Sequence, residues 1–128
     1  MIKVFVYGTL RKGEINDHYL EKALCISDQC WTYGEMYDTY HGYPAVKQDD
    51  SNRIVGELYS VTEDELALLD KLEDYQEGRE DNLYERILQT VYTDKGEVVA
   101  FIYIANKENM LRKRIVGEDW KKYRTSLG

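Results

Sequence analysis

One carboxylic acid of this chain, Glu73, stands where it could transfer protons. It follows Leu69 by four residues and Leu66 by seven, so the three side chains project from one side of a predicted helix. A carboxylate in line with core leucines is partly desolvated, which raises its pKa, and the negative end of the helix dipole acts in the same direction. Both effects favour a carboxyl group that accepts and returns a proton near neutral pH. The alternative is a Glu73 side chain that extends into solvent at a frayed helix end.

A second candidate is the loop after the first predicted strand. Residues 2–7 form a short β-branched and aromatic run typical of a buried strand, and residues 8–13 follow as a loop bracketed by two glycines. Glycine allows a ligand to approach the main chain, and free backbone amides can bind a carboxylate or a developing oxyanion. The residues concerned are Tyr7, Gly8, Thr9 and Leu10. An ordinary strand-to-helix turn would have the same spacing.

Two further predicted strands carry side chains that could line a pocket. Tyr84 and Arg86 are two residues apart and face the same side of their strand. If that side is buried, Arg86 needs a carboxylate or carbonyl partner, and Glu73 or another acid could supply it. An exposed pair on the sheet surface is the alternative. Tyr103, at the end of the last predicted strand, either offers its hydroxyl to a pocket or packs as an ordinary core residue.

Other catalytic chemistries lack the residues that they require. No histidine and cysteine in the chain have metal-ligand spacing, so we expect no metal and no other cofactor. We expect both cysteines to be free thiols that pack as small hydrophobic side chains. The residues in question are His18, His41, Cys25 and Cys30.

Length, composition and charge restrict the class of protein. A chain of 128 residues predicts one domain, and 43% hydrophobic with 32% charged residues is typical of neither a disordered nor a membrane protein. Lys and Arg total 17 against 24 Asp and Glu, a formal net charge of -7, so we expect no nucleic-acid and no membrane partner. Without a leader or a long apolar run, we expect a cytoplasmic protein. The sequence makes no prediction of oligomeric state.

The elements that position these residues are mainly strands. The predicted strands are residues 2–7, 31–38 with a possible bulge at Gly34, 54–61, 84–93 and 98–104, with a short strand after the turn at residues 42–46. Thr62 and Glu65 match a capping box, and the helix that they begin should end near Asp74 or Tyr75.

Less regular structure is expected elsewhere. A second helix is predicted from residue 16 or 17 to about 24, and residues 76–82 are predicted to be a solvated loop. The tail at residues 105–128 is charged and expected to be partly helical, with Trp120 and Tyr123 available to dock it. Strands outnumber helices, which favours a small α+β fold around a curved sheet.

Five short motifs, in order, carry a resemblance to a known family. They are residues 4–13, 42–45, 55–59, 69–75 and 84–86. Together they resemble the gamma-glutamylcyclotransferase superfamily in its small AIG2-like branch, over residues 2 to about 104. The resemblance implies an α+β fold, a small mixed β-barrel with flanking helices, as a single domain over residues 1–128.

The resemblance also implies an activity and a partner. Members cyclise a small-molecule gamma-glutamyl amine or amide to 5-oxoproline and release the amine, with a glutamate as general acid and base. Here Glu73 would be the catalytic residue. The substrate-binding residues would be Tyr7, Gly8, Thr9, Leu10, Tyr84 and Tyr103.

One departure from the family pattern lies beside the proposed catalytic residue. The family often has glycine after the glutamate, where this chain has Asp74. An acid there either raises the pKa of Glu73 further or indicates a different turn. A binding module of the same fold without turnover, an interaction domain that uses its many tyrosines, and an enzyme acting on another amide are the alternatives.

Overall fold

The computed structural model describes residues 1–127 as a closed five-stranded barrel, a three-stranded sheet and two α-helices. The strands are β1 (Ile2–Val6), β2 (Leu24–Tyr33), β3 (Glu35–Asp38), β4 (Pro44–Lys47), β5 (Arg53–Val61), β6 (Tyr84–Thr93), β7 (Gly96–Ala105) and β8 (Lys113–Arg114). The helices are α1 (Glu63–Leu72) and α2 (Trp120–Ser126), and neither has the length or hydrophobicity to cross a membrane. The predicted α+β class, a small mixed barrel with flanking helices, is confirmed.

Strand β1 closes the barrel because it pairs on both sides. The barrel order is β1-β5-β2-β6-β7, and the second sheet has the order β4-β3-β8. Val4 lies opposite Tyr59 in an antiparallel pairing with β5 and opposite Phe101 in a parallel pairing with β7. Strands β6 and β7 form an antiparallel hairpin, with Thr93 paired to Gly96 at its turn. Because β1 pairs with both β5 and β7, the loop that follows β1 is held at the end of the barrel.

Side chains from all five barrel strands meet in one buried cluster, which identifies it as the barrel interior. Its members include Phe5, Cys30, Leu58, Val91 and Ile102. A second cluster covers the opposite face of β1 and β5 and includes side chains of α1. Successive side chains of β1 therefore point alternately toward the helix and into the barrel interior.

Gly34 separates two strands that the sequence predicted as one. The expectation of a single strand over residues 31–38 was wrong, because β2 ends at Tyr33 and β3 belongs to the second sheet. A Cβ atom on Gly34 would lie 2.7 Å from Cγ1 of Val46. The glycine is needed because the chain passes close to β4 where it leaves the barrel.

The helix predicted from residue 16 or 17 to about 24 is also absent from the part that the structure describes. Only a 3₁₀ turn forms at Asp17–Leu20, and Leu24 already begins β2. The side chain of Asn16 caps no helix and instead donates through Nδ2 to Oγ1 of Thr9, at 3.1 Å. Pairing of Cys25 with Tyr59 in the barrel outweighs the short amphipathic pattern.

Helix α1 begins as predicted and ends earlier. The capping box of Thr62 and Glu65 is present, and Leu66 and Leu69 are buried. The helix ends at Leu72, two residues before the expected limit. Its end is a Schellman motif, in which the amide of residue 74 donates to the carbonyl of residue 71 and that of residue 75 to residue 70.

Asp74 occupies the left-handed position of this turn. Its φ is 52°, in the region where glycine is common and other residues are rare. Nη2 of Arg79 donates to both the carbonyl oxygen and Oδ1 of Asp74, each at 2.7 Å. The turn therefore keeps a conformation suited to glycine, and Arg79 supports the aspartate that replaces it.

The segment after α1 is less solvated than predicted. Asn82 is only 1% exposed, so the expectation of a solvated loop over residues 76–82 was wrong at its end. Its side chain accepts from the amide of Gln76 and donates to the carbonyls of Gln76 and Arg79. One buried amide thus fixes the path between α1 and β6.

The C-terminal tail packs against the barrel, as its sequence predicted. Trp120 is 2% exposed and joins the interior cluster, and the hydroxyl of Tyr123 donates to Oδ2 of Asp38 at 2.8 Å. Asp119 caps α2 and also pairs with Arg11. The tail is therefore connected to the loop after β1.

Replacement of Trp120 by alanine tests this docking. Removal of a buried tryptophan should lower the free energy of unfolding by about 3–5 kcal/mol, as measured by urea denaturation. Val116 is 95% exposed, so Val116→Ala is the matched control and should stay within about 0.5 kcal/mol of wild type. Equal stability of the two variants would contradict the docking.

Candidate active site

A cavity of about 280 Å³ opens between the end of α1 and the loop after β1. This volume lies near the lower end of small-molecule sites, which span roughly 300–1,000 Å³. Every residue that the sequence predicted for catalysis or substrate binding lines it, with seven others. The lining residues are Phe5, Val6, Tyr7, Gly8, Thr9, Leu10, Asn16, Tyr43, Pro44, Leu72, Glu73, Leu83, Tyr84 and Tyr103.

Glu73 is the one lining residue with a charged side chain. It is the C-cap of α1 and is half-buried, facing the cavity rather than bulk solvent. Within residues 1–127 its carboxyl group accepts no hydrogen bond from the protein. Burial raises the pKa of Glu73 from the usual 4.5 to about 7. The expected desolvation is present, and it arises from burial rather than from Asp74.

The loop opposite Glu73 presents unused backbone donors. In the part of the chain that the structure describes, the amides of Gly8, Thr9 and Leu10 donate to no protein acceptor. The carbonyl of Gly8 accepts from the amide of Arg11 at 3.1 Å, and that of Thr9 accepts from the amide of Asn16 at 2.9 Å. A loop fixed through its carbonyls with free amides is suited to bind an anion.

Gly8 is required by the close packing of Pro44 on this loop. A Cβ atom at position 8 would lie 2.7 Å from Cγ of Pro44. The hydroxyl of Tyr84 donates to the carbonyl of Pro44 at 2.6 Å and holds the proline in place. Tyr84 therefore lines the cavity with its ring while its hydroxyl supports the wall.

Buried Glu57 holds the other end of the loop. Its carboxylate accepts from the amide of Lys12 at 2.9 Å, from Nε of Arg11 at 3.1 Å and from the hydroxyl of Tyr59 at 2.9 Å. This role of Glu57 was not predicted from the sequence. The signal was present, because an acid inside a buried strand must find partners.

The partner of Arg86 is Asp70, which settles the alternatives left open above. Arg86 forms an ion pair with Asp70, and its guanidinium lies 4.5 Å from the ring centroid of Phe101 and 5.0 Å from that of Tyr75. It is therefore neither a surface residue nor the partner of Glu73. The pair fixes α1 to the barrel one turn before Glu73.

Tyr103 extends this connection to the loop. Its hydroxyl donates to Oδ1 of Asp70 at 2.6 Å, and the same residue lines the cavity. Its carbonyl accepts from the hydroxyl of Tyr7 at 2.6 Å. Helix α1, β7 and the residue before Gly8 are thus linked by consecutive hydrogen bonds.

Two polar residues of the cavity wall, Asn16 and Tyr43, are among the seven that were not predicted as site residues. Asn16 supports Thr9, as described above, and Tyr43 faces Glu73 from the segment between β3 and β4. Asn16 was predicted to begin a helix, and Tyr43 lies in the motif at residues 42–45, but neither pattern by itself indicates a cavity wall. The cysteines give no second site, since Cys25 and Cys30 are free and burial raises the pKa of Cys30 to about 12. Residues 1–127 contain no cluster of three or more potential metal ligands.

Known proteins resemble this chain in sequence and in fold. The family model described as gamma-glutamyl cyclotransferase, AIG2-like, matches residues 4–122. The chain is 37% identical to the gamma-L-glutamyl-butirosin B gamma-glutamyl cyclotransferase of Niallia circulans, over 97% of this chain and 78% of that protein.

Solved structures show the same fold. YkqA of Bacillus subtilis aligns with a TM-score of 0.80 at 33% identity, covering 98% of this chain and 42% of YkqA. An AIG2-like protein of Mus musculus aligns with a TM-score of 0.68 at 25% identity, covering 82% of this chain and 77% of that one. The chain spans less than half of YkqA.

The raised pKa of Glu73 makes a prediction about stability. Between pH 4.5 and about 7 the folded state binds more protons at this group than the unfolded state, so the free energy of unfolding falls as the pH rises through that window. Glutamine does not titrate, so the Glu73→Gln variant does not lose stability in this way. After allowance for solvent in the half-open cavity, we expect the variant to gain about 1–2 kcal/mol relative to wild type between pH 5 and pH 8.

Urea denaturation at the two pH values measures this gain. Glu77 is exposed on the following loop, so Glu77→Gln serves as the control and should show no such gain. A pH-independent difference between Glu73→Gln and wild type would show that Glu73 has an ordinary pKa.

Proposed function

The chain belongs to the gamma-glutamyl cyclotransferase, AIG2-like, family, and we propose that it cyclises a gamma-glutamyl amine or amide to 5-oxoproline and releases the amine. One observation carries the proposal. The unpaired carboxyl group of Glu73, whose pKa burial raises to about 7, shares a small cavity with the free amides of residues 8–10. A small molecule in this cavity would therefore contact both a proton acceptor and hydrogen-bond donors for its anionic groups.

The substrate supplies its own nucleophile in this reaction. The α-amine of the glutamyl group attacks the γ-carbonyl carbon, a new carbon–nitrogen bond closes the five-membered ring, and the bond to the leaving amine breaks. No side-chain nucleophile is required. Holding the glutamyl chain folded in a cavity of about 280 Å³ brings the two groups together, an effect worth up to several kcal/mol in intramolecular reactions.

Glu73 moves the protons that this cyclisation must transfer. Its carboxylate takes one proton from the α-ammonium group before attack and a second from the ring nitrogen after attack, and it passes both to the leaving nitrogen. The α-ammonium group thus becomes a lactam N–H and the leaving group departs as an ammonium, so atoms and charge balance with no further reactant. The pKa of Glu73 is about 7, so its carboxylate takes a proton from an ammonium group at a lower free-energy cost than an ordinary glutamate would. The carboxylic acid that forms can then return the proton to the leaving nitrogen.

The remaining predicted residues bind and enclose the substrate. The amides of Gly8, Thr9 and Leu10 hold its anionic groups. Tyr84 and Tyr103 act through their rings, since their hydroxyls are bonded to the protein. The relative from Niallia circulans, named for gamma-L-glutamyl-butirosin B, supports a gamma-glutamyl amide as the substrate class.

Replacement of Glu73 by glutamine is the direct test. Incubation with gamma-glutamyl amines, gamma-glutamyl dipeptides and glutathione, followed by mass spectrometry for 5-oxoproline, should show turnover by wild type. Because the variant lacks the acid and base, we expect its turnover to be about 10²–10⁴-fold slower. Glu77→Gln should match wild type. Saturable binding without product in wild type would instead favour a non-catalytic binding module.

The pH dependence of kcat/KM provides a separate prediction. Only the carboxylate form of Glu73 can act as a base, so kcat/KM should rise with pH to a plateau, with an acidic limb near pH 7. The limb should disappear from the residual activity of Glu73→Gln. An acidic limb near pH 4.5 in wild type would exclude a desolvated Glu73 as the base.

A further inference from the structure

Four tyrosines line the cavity, and three of their hydroxyls are occupied. Tyr7 donates to the carbonyl of Tyr103, Tyr103 donates to Asp70, and Tyr84 donates to the carbonyl of Pro44, each at 2.6 Å. The fourth, Tyr43, is half-buried, and its hydroxyl has no protein partner within residues 1–127. It is also not among the polar atoms sealed from solvent. Its hydroxyl is therefore open to solvent on a residue that lines the cavity, and its pKa is raised by partial burial and by the nearby carboxylate of Glu73.

The backbone around Tyr43 is held from both sides. Its carbonyl accepts from Oγ1 of Thr39 at 2.7 Å and from the amide of Thr39 at 3.3 Å. The next residue, Pro44, packs against Gly8 and accepts the hydroxyl of Tyr84. A free hydroxyl on a fixed segment is a preorganised hydrogen-bond donor.

The cavity is short of donors for the reaction proposed above. A gamma-glutamyl substrate presents the two oxygens of its α-carboxylate and the γ-carbonyl oxygen, which becomes negatively charged as the ring closes. In the part of the chain that the structure describes, no lysine or arginine lines the cavity, and the three loop residues that line it, Gly8, Thr9 and Leu10, have free amides. Those amides are matched to a carboxylate. The developing oxyanion needs another donor.

We propose that Tyr43 supplies it, by donating a hydrogen bond from its hydroxyl to the γ-carbonyl oxygen of the substrate as negative charge develops there. This inference rests on the proposed cyclisation. No proton is transferred from Tyr43, and the bond strengthens only as the tetrahedral intermediate forms. Burial, with a smaller contribution from Glu73, raises the pKa of Tyr43, so the hydroxyl stays protonated and able to donate at neutral pH.

Tyr43→Phe removes only this oxygen and tests the assignment by steady-state kinetics. Loss of one oxyanion donor should lower kcat about 10²–10³-fold with KM within about threefold of wild type. Tyr92 is the matched control, since it is also half-buried, its hydroxyl also has no protein partner, and it lies on β6 outside the cavity. Tyr92→Phe should keep the wild-type kcat and KM.

Binding of 5-oxoproline, measured by calorimetry, separates this role from a change in the cavity. The product has no tetrahedral centre, so its affinity for Tyr43→Phe and wild type should agree within about threefold. An unchanged kcat, a rise in KM alone, or a loss of product affinity as large as the loss of kcat would each overturn the assignment. Absence of turnover by wild type on every gamma-glutamyl substrate would instead refute the cyclisation, and the role of Tyr43 with it.

Discussion

The desolvation of one carboxyl group, Glu73, is the constraint on which the rest of the site depends. Burial raises its pKa, no hydrogen bond or ion pair within residues 1–127 opposes that shift, and the cation that the sequence suggested as its partner is occupied elsewhere. Arg86 is bound to Asp70 and enclosed by two aromatic rings, one turn before the helix end. A guanidinium free to reach Glu73 would hold its carboxylate ionised and make it a poor acceptor. By holding Arg86, the ion pair with Asp70 keeps a positive charge from binding the carboxyl group of Glu73.

The same pair takes part in positioning the two sides of the cavity. Asp70 accepts from Tyr103, whose carbonyl accepts from Tyr7 at the start of the loop. On the far side Glu57 binds the loop through Arg11, which also contacts the C-terminal tail. A rigid barrel with buried polar contacts at both loop ends suits a reaction in which the enzyme mainly supplies orientation.

Features that depend on a few neighbouring residues were predicted correctly from the sequence. Features that depend on contacts between residues far apart in the chain were not. The capping box, the leucines before Glu73 and the loop after β1 are patterns of a few neighbouring residues, and the structure contains them. The helix predicted near residues 16–24 does not form, because pairing of the following residues with β5 is more favourable than the local helix propensity. The partner of Arg86 could not be chosen from spacing, because several acids were possible. Tyr43 was missed for a related reason, because a free hydroxyl is recognised only once the other partners are known. Positions are thus established, while the roles of the site residues stay predictions.

The left-handed turn at Asp74 makes the evolution of position 74 depend on that of position 79. Arg79 compensates the aspartate by bonding its carbonyl and its carboxylate, so each residue makes the other acceptable. A lineage that returns to glycine at position 74 leaves Arg79 its bonds to Asn82 and to the carbonyl of residue 74, whereas loss of the arginine first leaves a strained turn beside the active-site acid. Substitutions at the two sites should therefore be accepted in a preferred order, and pairs of residues at these positions should covary among relatives.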